Sequence, residues 1–385
     1  MRMSLISCPF KTSFGWYASS LKAAVEARSG GTIQWVASNC GCGDPMEAGR
    51  RFQAQQCAYF DMPMPSDFRS AKTWRRRLRG AARSAIVYVR ARRYANMLDH
   101  PEVVHFQQVL NAYGSKAVFS WLKLPSKAAR VVTVHELDAD QLEYPELNET
   151  YNRADAIIVL FEELRQYLIR LKVRPEKIHV VLHGTSMPPR EQTNSREGVV
   201  FYGGHKLMSG KGVDTAFKAM AIVRQRISAP MPTLKVHGHY GLGTPPEALR
   251  LAKENGMVDG IVWLNQIPDE EIMKVYQRSL VCVLPYTRSF AGLPAALAAA
   301  CQLPVVCTRK AGLPDHLGDA GIWVDENNPE QLADRIIGLL GDEHLREEVG
   351  ARLLKRAQES LCWEVIAGQT LRVYEEALRS KAQAN

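Results

Sequence analysis

The chain has 385 residues, enough for two or three domains at about 150 residues each. Its 46% hydrophobic and 23% charged residues are ordinary globular proportions, which excludes a disordered or collagen-like chain. The net charge of +9 is concentrated in one place: residues 69–98 hold ten Lys or Arg and no Asp or Glu, so the rest of the chain nets −1. No run approaches the ~20 apolar residues of a membrane span, and the N-terminal MRMSLISCPFKTSFGW has too short an apolar core for a secretory signal.

Eight cysteines are too few for a disulfide scaffold of this length. Cys40 and Cys42 form a C-x-C with no C-x-x-C pair or His cluster to complete a zinc site. Reduced thiols and a cytoplasmic location are expected.

In chain order, residues 4–8 predict a strand, followed by a loop through Gly15 and a helix over 18–27. Residues 33–36 predict a second strand. In the basic segment, Trp74, Leu78, Ala81, Ala85 and Tyr88 recur at helical spacing, while Gly80, Val87 and Val89 oppose a helix. Arg75, Arg76, Arg77, Arg79 and Arg83 suit an anionic membrane surface, at about 1 kcal/mol per basic residue near the headgroups. An acidic partner or a merely solvated helix face would use the same residues, and no nucleic-acid recognition motif accompanies them.

Buried strands are predicted at 103–106, 131–134, 156–160 and 179–182, with helical patterns such as 162–171 between some of them. Residues 187–198, MPPREQTNSREG, read as a linker between domains. The second half repeats the scheme. Strands are predicted at 198–202, 233–237, 260–264, 281–285, 304–307 and 321–324. Helices are predicted at 213–226, 248–254, 270–278, 294–301, 329–340, 343–360 and 363–379. Strands alternating with helices imply α/β architecture: two doubly wound, Rossmann-like domains. Ligands in such sheets bind beyond the carboxyl ends of the strands, so a central cleft is the expected site.

Two glycine motifs fail on inspection. GGHKLMSGKG is not a Walker A loop, since Lys211 is followed by Gly212 rather than Ser or Thr. No G-x-G-x-x-G joins a first strand to a first helix, which argues against a dinucleotide-dependent dehydrogenase.

Read in order, FYGGHKLMSGKGVDTAFKAM, VWLNQIPDEEIMKVYQRSLVCVLPY, SFAGLPAALAAACQLPVVCTRKAGLPDHLGDAGIWVDENNPEQLADRI and WEVIAGQTLRVYEEAL tell more. Their order and spacing resemble family-4 retaining glycosyltransferases of the GT-B fold, over essentially residues 199–378. VVTVHELDAD and ADAIIVLFEELRQYLIRLKVRPEKIHVVLHGT extend the resemblance more weakly over 131–185. The first hundred residues match only in general pattern.

The resemblance implies roles for particular residues. The family's Arg–Lys pair, which steadies the departing nucleoside diphosphate, falls on Lys206 and Lys211. Lysine keeps the charge but lacks the guanidinium fork. Gly292 and Leu293 take the diphosphate-contact positions, where a helix N-terminus offers free amides. His135 takes the position of a histidine that faces the transferred sugar from the other domain. Gly15 lies where the family brings backbone close to the donor, although the usual Gly-Gly pair is replaced by SFGWYASS. Read without the family, the lysines are loop surface, Gly292 is a strand-to-helix turn, and His135 is structural. Phe14, Trp16 and Tyr17 suit either an acceptor wall or ordinary core.

Two departures stand out. The family's two glutamates would fall on Ser289 and Leu297. Serine still hydrogen-bonds a sugar hydroxyl, but leucine cannot accept from a ribose. Glu270, Glu271 and Asp315 are nearby acids.

The expectation is therefore a GT-B fold with an acceptor domain at 1–190 and a nucleotide-sugar domain at 191–362. A helix at 363–385 crosses back to the first. The implied activity is metal-independent, retaining transfer from a nucleotide-sugar to a saccharide or lipid-linked saccharide, in cell-surface polysaccharide or glycoconjugate biosynthesis. No cofactor is expected, and the protein would lie in the cytoplasm or at the inner membrane face. The competing expectation is a non-catalytic GT-B partner or glycan-binding protein.

Overall fold

The β-branched runs of both halves pair side by side as parallel strands. The computed structural model describes residues 1–7, 13–38, 57–60, 100–107, 127–135, 147–189, 196–203, 210–228, 230–238, 246–265, 267, 269–288 and 292–383. They form two units, Met1–Val181 with Trp363–Asn385, and Leu182–Cys362.

In the first unit the strands are β1 (Met3–Ser7), β2 (Ile33–Ser38), β3 (Cys57–Phe60), β4 (Val103–Gln107), β5 (Ala129–Val134), β6 (Ala156–Val159) and β7 (Ile178–Val180). They lie in the order β3-β2-β1-β4-β5-β6-β7, all parallel. Between them run α1 (Ser13–Ser29), α2 (Leu147–Asn152) and α3 (Glu162–Arg170). VVHFQ in β4 and AIIV in β6 are buried at every position, as strands covered on both faces require.

Helix α1 begins earlier than its apolar periodicity suggests, so Gly15 lies inside its first turn rather than in a loop. Amides in a first turn have no intrahelical partner, and that turn needs no apolar face to form. The short strand Cys57–Phe60 was not anticipated.

The second unit contains β8 (Val199–Tyr202), α4 (Val213–Arg226), β9 (Leu234–Gly238), α5 (Pro246–Glu254), β10 (Ile261–Asn265), α6 (Asp269–Gln277), β11 (Val281–Leu284), α7 (Leu293–Ala300), β12 (Val305–Thr308), α8 (Leu313–Leu317), β13 (Ile322–Val324), α9 (Pro329–Gly341) and α10 (Glu343–Arg356). The strand order is β10-β9-β8-β11-β12-β13, again all parallel. One apolar core packs α4 and α9 on one face of the sheet, and a second packs α7 and α10 on the other.

Helix starts carry their signals in sequence. Asn328 accepts from the Gln331 amide at 3.0 Å ahead of Pro329, and Asp342 accepts from the Leu345 amide at 2.9 Å. The helix expected over 343–360 is α-helical to Arg356 and continues as a π-helical turn over Ala357–Leu361.

The chain then returns to the first unit as α11 (Trp363–Gln383). It packs on α1 and across β5 and β6, burying Trp363, Ile366, Val373 and Tyr374. His179 and Asp155 of the first unit meet Glu376 and Lys381 at 3.6 and 4.0 Å.

Candidate active site

In each sheet the strand order reverses once, between β1 and β4 and between β8 and β11. Such a switch point opens a crevice at the carboxyl ends of the strands. In the second unit Lys211 lies between β8 and α4, just ahead of the helix, and Gly292 lies between β11 and α7, at the start of that helix. The two are fastened together: the Gly210 carbonyl accepts from the amides of Thr287 and Arg288 at 2.9 and 3.3 Å.

Glycine is obligatory on both sides of Lys211. Gly210 and Gly212 have φ of 96° and 70°. A Cβ on Gly212 would sit 1.9 Å from the Pro285 carbonyl oxygen, and one on Gly210 would strike the Arg288 side chain. Lys211 itself is only 4% exposed. Its ammonium lies 4.1 Å from the ring centroid of Tyr286 and 5.5 Å from that of Tyr202, a cation–π cradle. The Thr308 hydroxyl donates to the Tyr286 carbonyl at 2.6 Å and holds that segment to β12.

Gly292 is backed by a buried imidazole. A Cβ there would lie 2.2 Å from His316 Nδ1. His316 Nε2 accepts from the His183 amide at 3.1 Å, so the proton sits on Nδ1, which donates to the Gly312 carbonyl at 2.7 Å. Burial holds the ring neutral, with its pKa lowered to about 4. Helix α7, LPAALAAA, is buried on nearly every side and presents its amino end at this turn, with Leu293 as its first residue. A helix start offers unpaired amides and a partial positive charge to an anion.

Leu297 packs into the core with α10, so no acidic group stands at that position. Glu271 pairs with Lys274 at 2.6 Å, on the helix that follows the edge strand β10. The Asp315 carbonyl accepts from Arg356 at 2.7 Å.

In the first unit His135 follows β5 and is 3% exposed. Tyr17 is fully buried, edge-on to His135 at 4.8 Å and to Trp363 at 5.4 Å, so it belongs to the core rather than to an acceptor wall. Lys206, Ser289, Arg75, Arg76, Arg77, Arg79 and Arg83 lie outside the described residues. Lys211, Gly292 and His135 stand out in the sequence. Tyr202, Tyr286, Arg288, Gln107 and His316 do not, because their roles depend on contacts between separate segments. The glycines beside Lys211 were the one visible hint of the Pro285–Arg288 clamp.

Known families fit this arrangement. The model described as "Glycosyl transferases group 1" matches residues 196–342, and "Glycosyltransferase Family 4" matches 45–187. This chain belongs to the GT-B glycosyltransferases.

The chain is 34% identical over 122 residues to the O-antigen chain mannosyltransferase B of Escherichia coli, which is 31% of this chain and 32% of that one. It is 31% identical over 238 residues to a D-inositol 3-phosphate glycosyltransferase of Corynebacterium efficiens, 56% of this chain and 55% of that one. The matched region thus spans a third to about half the length of these relatives. The Anabaena protein HepE, solved in complex with UDP and glucose, has the same fold: TM-score 0.71 at 14% identity, over 97% of this chain and 98% of that one.

Proposed function

We propose that this chain transfers a sugar from a nucleoside-diphosphate-sugar to a hydroxyl of a saccharide or lipid-linked saccharide. The anomeric configuration is retained, and the product is a cell-surface polysaccharide or glycoconjugate. The observation that carries the reading is the clamp between the Gly210 carbonyl and the Thr287 and Arg288 amides. It ties the Lys211 loop to the segment that opens α7, at the switch point of the sheet. The UDP-bound neighbour supports the donor class, and the O-antigen relative supports the polysaccharide acceptor.

In this reading the acceptor oxygen bonds to the sugar's anomeric carbon on the face the diphosphate leaves. The carbon–oxygen bond to the β-phosphate breaks, and a departing phosphate oxygen takes the acceptor's proton. Negative charge gathers on the nucleoside diphosphate. Lys206, Lys211, Gly292 and the first amides of α7 stabilise it without a metal. His135 and Ser289 contact the transferred sugar, and Gly15 brings backbone to the donor. With Leu297 in the core, the ribose is recognised by other groups.

The test is release of free nucleoside diphosphate from a panel of nucleotide sugars, with and without saccharide acceptors. Turnover is expected, and Lys211→Ala should lower it by about 100-fold or more. The buried Leu297 favours one alternative, a non-catalytic glycan-binding or partner protein. Failure of every nucleotide sugar both to turn over and to bind selects that alternative.

The basic segment is assigned to the surface of anionic membranes, which would place the protein in the cytoplasm at the inner membrane face. No helix among the described residues is long and apolar enough to cross a membrane. Vesicles of anionic lipid should sediment the protein at low salt and release it at high salt. Reversing Arg75, Arg76, Arg77 and Arg79 should abolish the effect. Equal sedimentation with neutral vesicles would overturn the assignment.

A further inference from the structure

Behind His135 runs a buried chain of hydrogen bonds that reaches α11. His135 Nε2 lies 2.8 Å from Gln107 Oε1. Gln107 Nε2 lies 3.2 Å from His105 Nε2, which is also 2.7 Å from the Thr133 hydroxyl. His105 Nδ1 lies 2.6 Å from the Tyr374 hydroxyl. Each of these five residues is less than 4% exposed. The arrangement follows from register: β4 pairs with β5 so that Gln107 stands opposite Thr133, and His135 comes two residues later, just past the end of that strand.

Donor and acceptor rules read the protons off this chain. An amide oxygen only accepts, so His135 Nε2 carries a hydrogen. An amide nitrogen only donates, so His105 Nε2 carries none, and Thr133 donates to it as well. The His105 proton therefore sits on Nδ1 and is given to the Tyr374 oxygen. Burial keeps His105 neutral, with its pKa lowered to about 3, so this ring does not escape the constraint by taking a second proton. Reversing the Gln107 amide would require every bond to reverse with it: both histidine protons would move to the other nitrogen, Thr133 would accept and Tyr374 would donate. The two imidazoles are thus coupled through one amide.

We propose that Gln107 is a positioning residue that confines the His135 proton to Nε2 and so fixes the ring that the proposed function sets against the transferred sugar. The tautomer claim stands on this geometry alone, while the sugar contact rests on the function proposed above.

The experiment uses the full chain labelled with 15N-histidine and long-range 1H–15N correlation spectra of the imidazoles. His135 and His105 are assigned by the signals lost in His135→Gln and His105→Gln. The expected wild-type pattern is Nε2–H for His135 and Nδ1–H for His105. Gln107→Leu should leave His135 as a mixture of tautomers and lower kcat/KM about tenfold. Gln107→Glu still accepts from His135. It should keep Nε2–H there, move the His105 proton to Nε2, and restore most of the activity. That rescue separates positioning from a general loss of packing. A wild-type His135 protonated on Nδ1, or a Gln107→Leu protein that keeps pure Nε2–H, overturns the proposal. A tautomer change with unaltered kinetics upholds the coupling and removes His135 from the sugar site.

Discussion

Gly292 has no room for a side chain, because the His316 ring fills the space where a Cβ would go. Gly292→Ala must push that ring off the His183 amide and the Gly312 carbonyl. The expected cost is about 1–3 kcal/mol of stability, read from the urea midpoint. An unchanged midpoint would show that the ring moves freely. At this scale the local setting of Lys211 and Gly292, each just ahead of a helix, and of His135, just after a strand, was legible in the sequence. The sequence could not expose His316 or Gln107. An isolated histidine or glutamine means nothing until a segment over a hundred residues away, or a neighbouring strand, supplies its partner.

Apart from the five-residue α8, which was not expected, the strands and helices of the second unit were legible to within a few residues because their signals are local: β-branched runs for strands, and Asn328–Pro329 and Asp342 for helix starts. Misreadings fell where local pattern is silent. The first turn of α1 has no apolar periodicity to reveal it, and β3 is four residues long. Helix α11 was visible as a helix, but its seat is a tertiary fact. Ile366 is fully buried against the first unit's own elements. Ile366→Asp should therefore cost at least about 3 kcal/mol, because a carboxylate there is unpaired. The loss should appear in protease sensitivity of peptides from α1 and β5, while peptides from α4 and α9 stay protected. Equal sensitivity of both sets would show that the helix is not a component of the first unit alone.

At the scale of the whole molecule, both units hold imidazoles neutral by burial. His105 and His183 are lowered to about 3 and His316 to about 4, from an ordinary value of 6.5. Between pH 6.5 and 4 the unfolded chain takes up protons that the folded chain refuses. Stability is complete above pH 6.5 and falls as pH drops through that window. The urea midpoint at pH 4.5 should lie below that at pH 7.5, and a flat midpoint between them would refute the account. The sheet order around each switch point could be expected from alternating strands and helices, whereas this acid sensitivity could not. It arises from rings that sequence alone leaves at the surface or in the core with equal ease.

The placement of α11 also sets an order of events at the ribosome. When residue 181 emerges, the earlier-made unit still lacks the helix that covers β5 and β6. At about 5–20 residues per second, that helix arrives roughly 10–40 s later. The later-made unit is complete before then, so the nascent chain finishes its middle first and its beginning last.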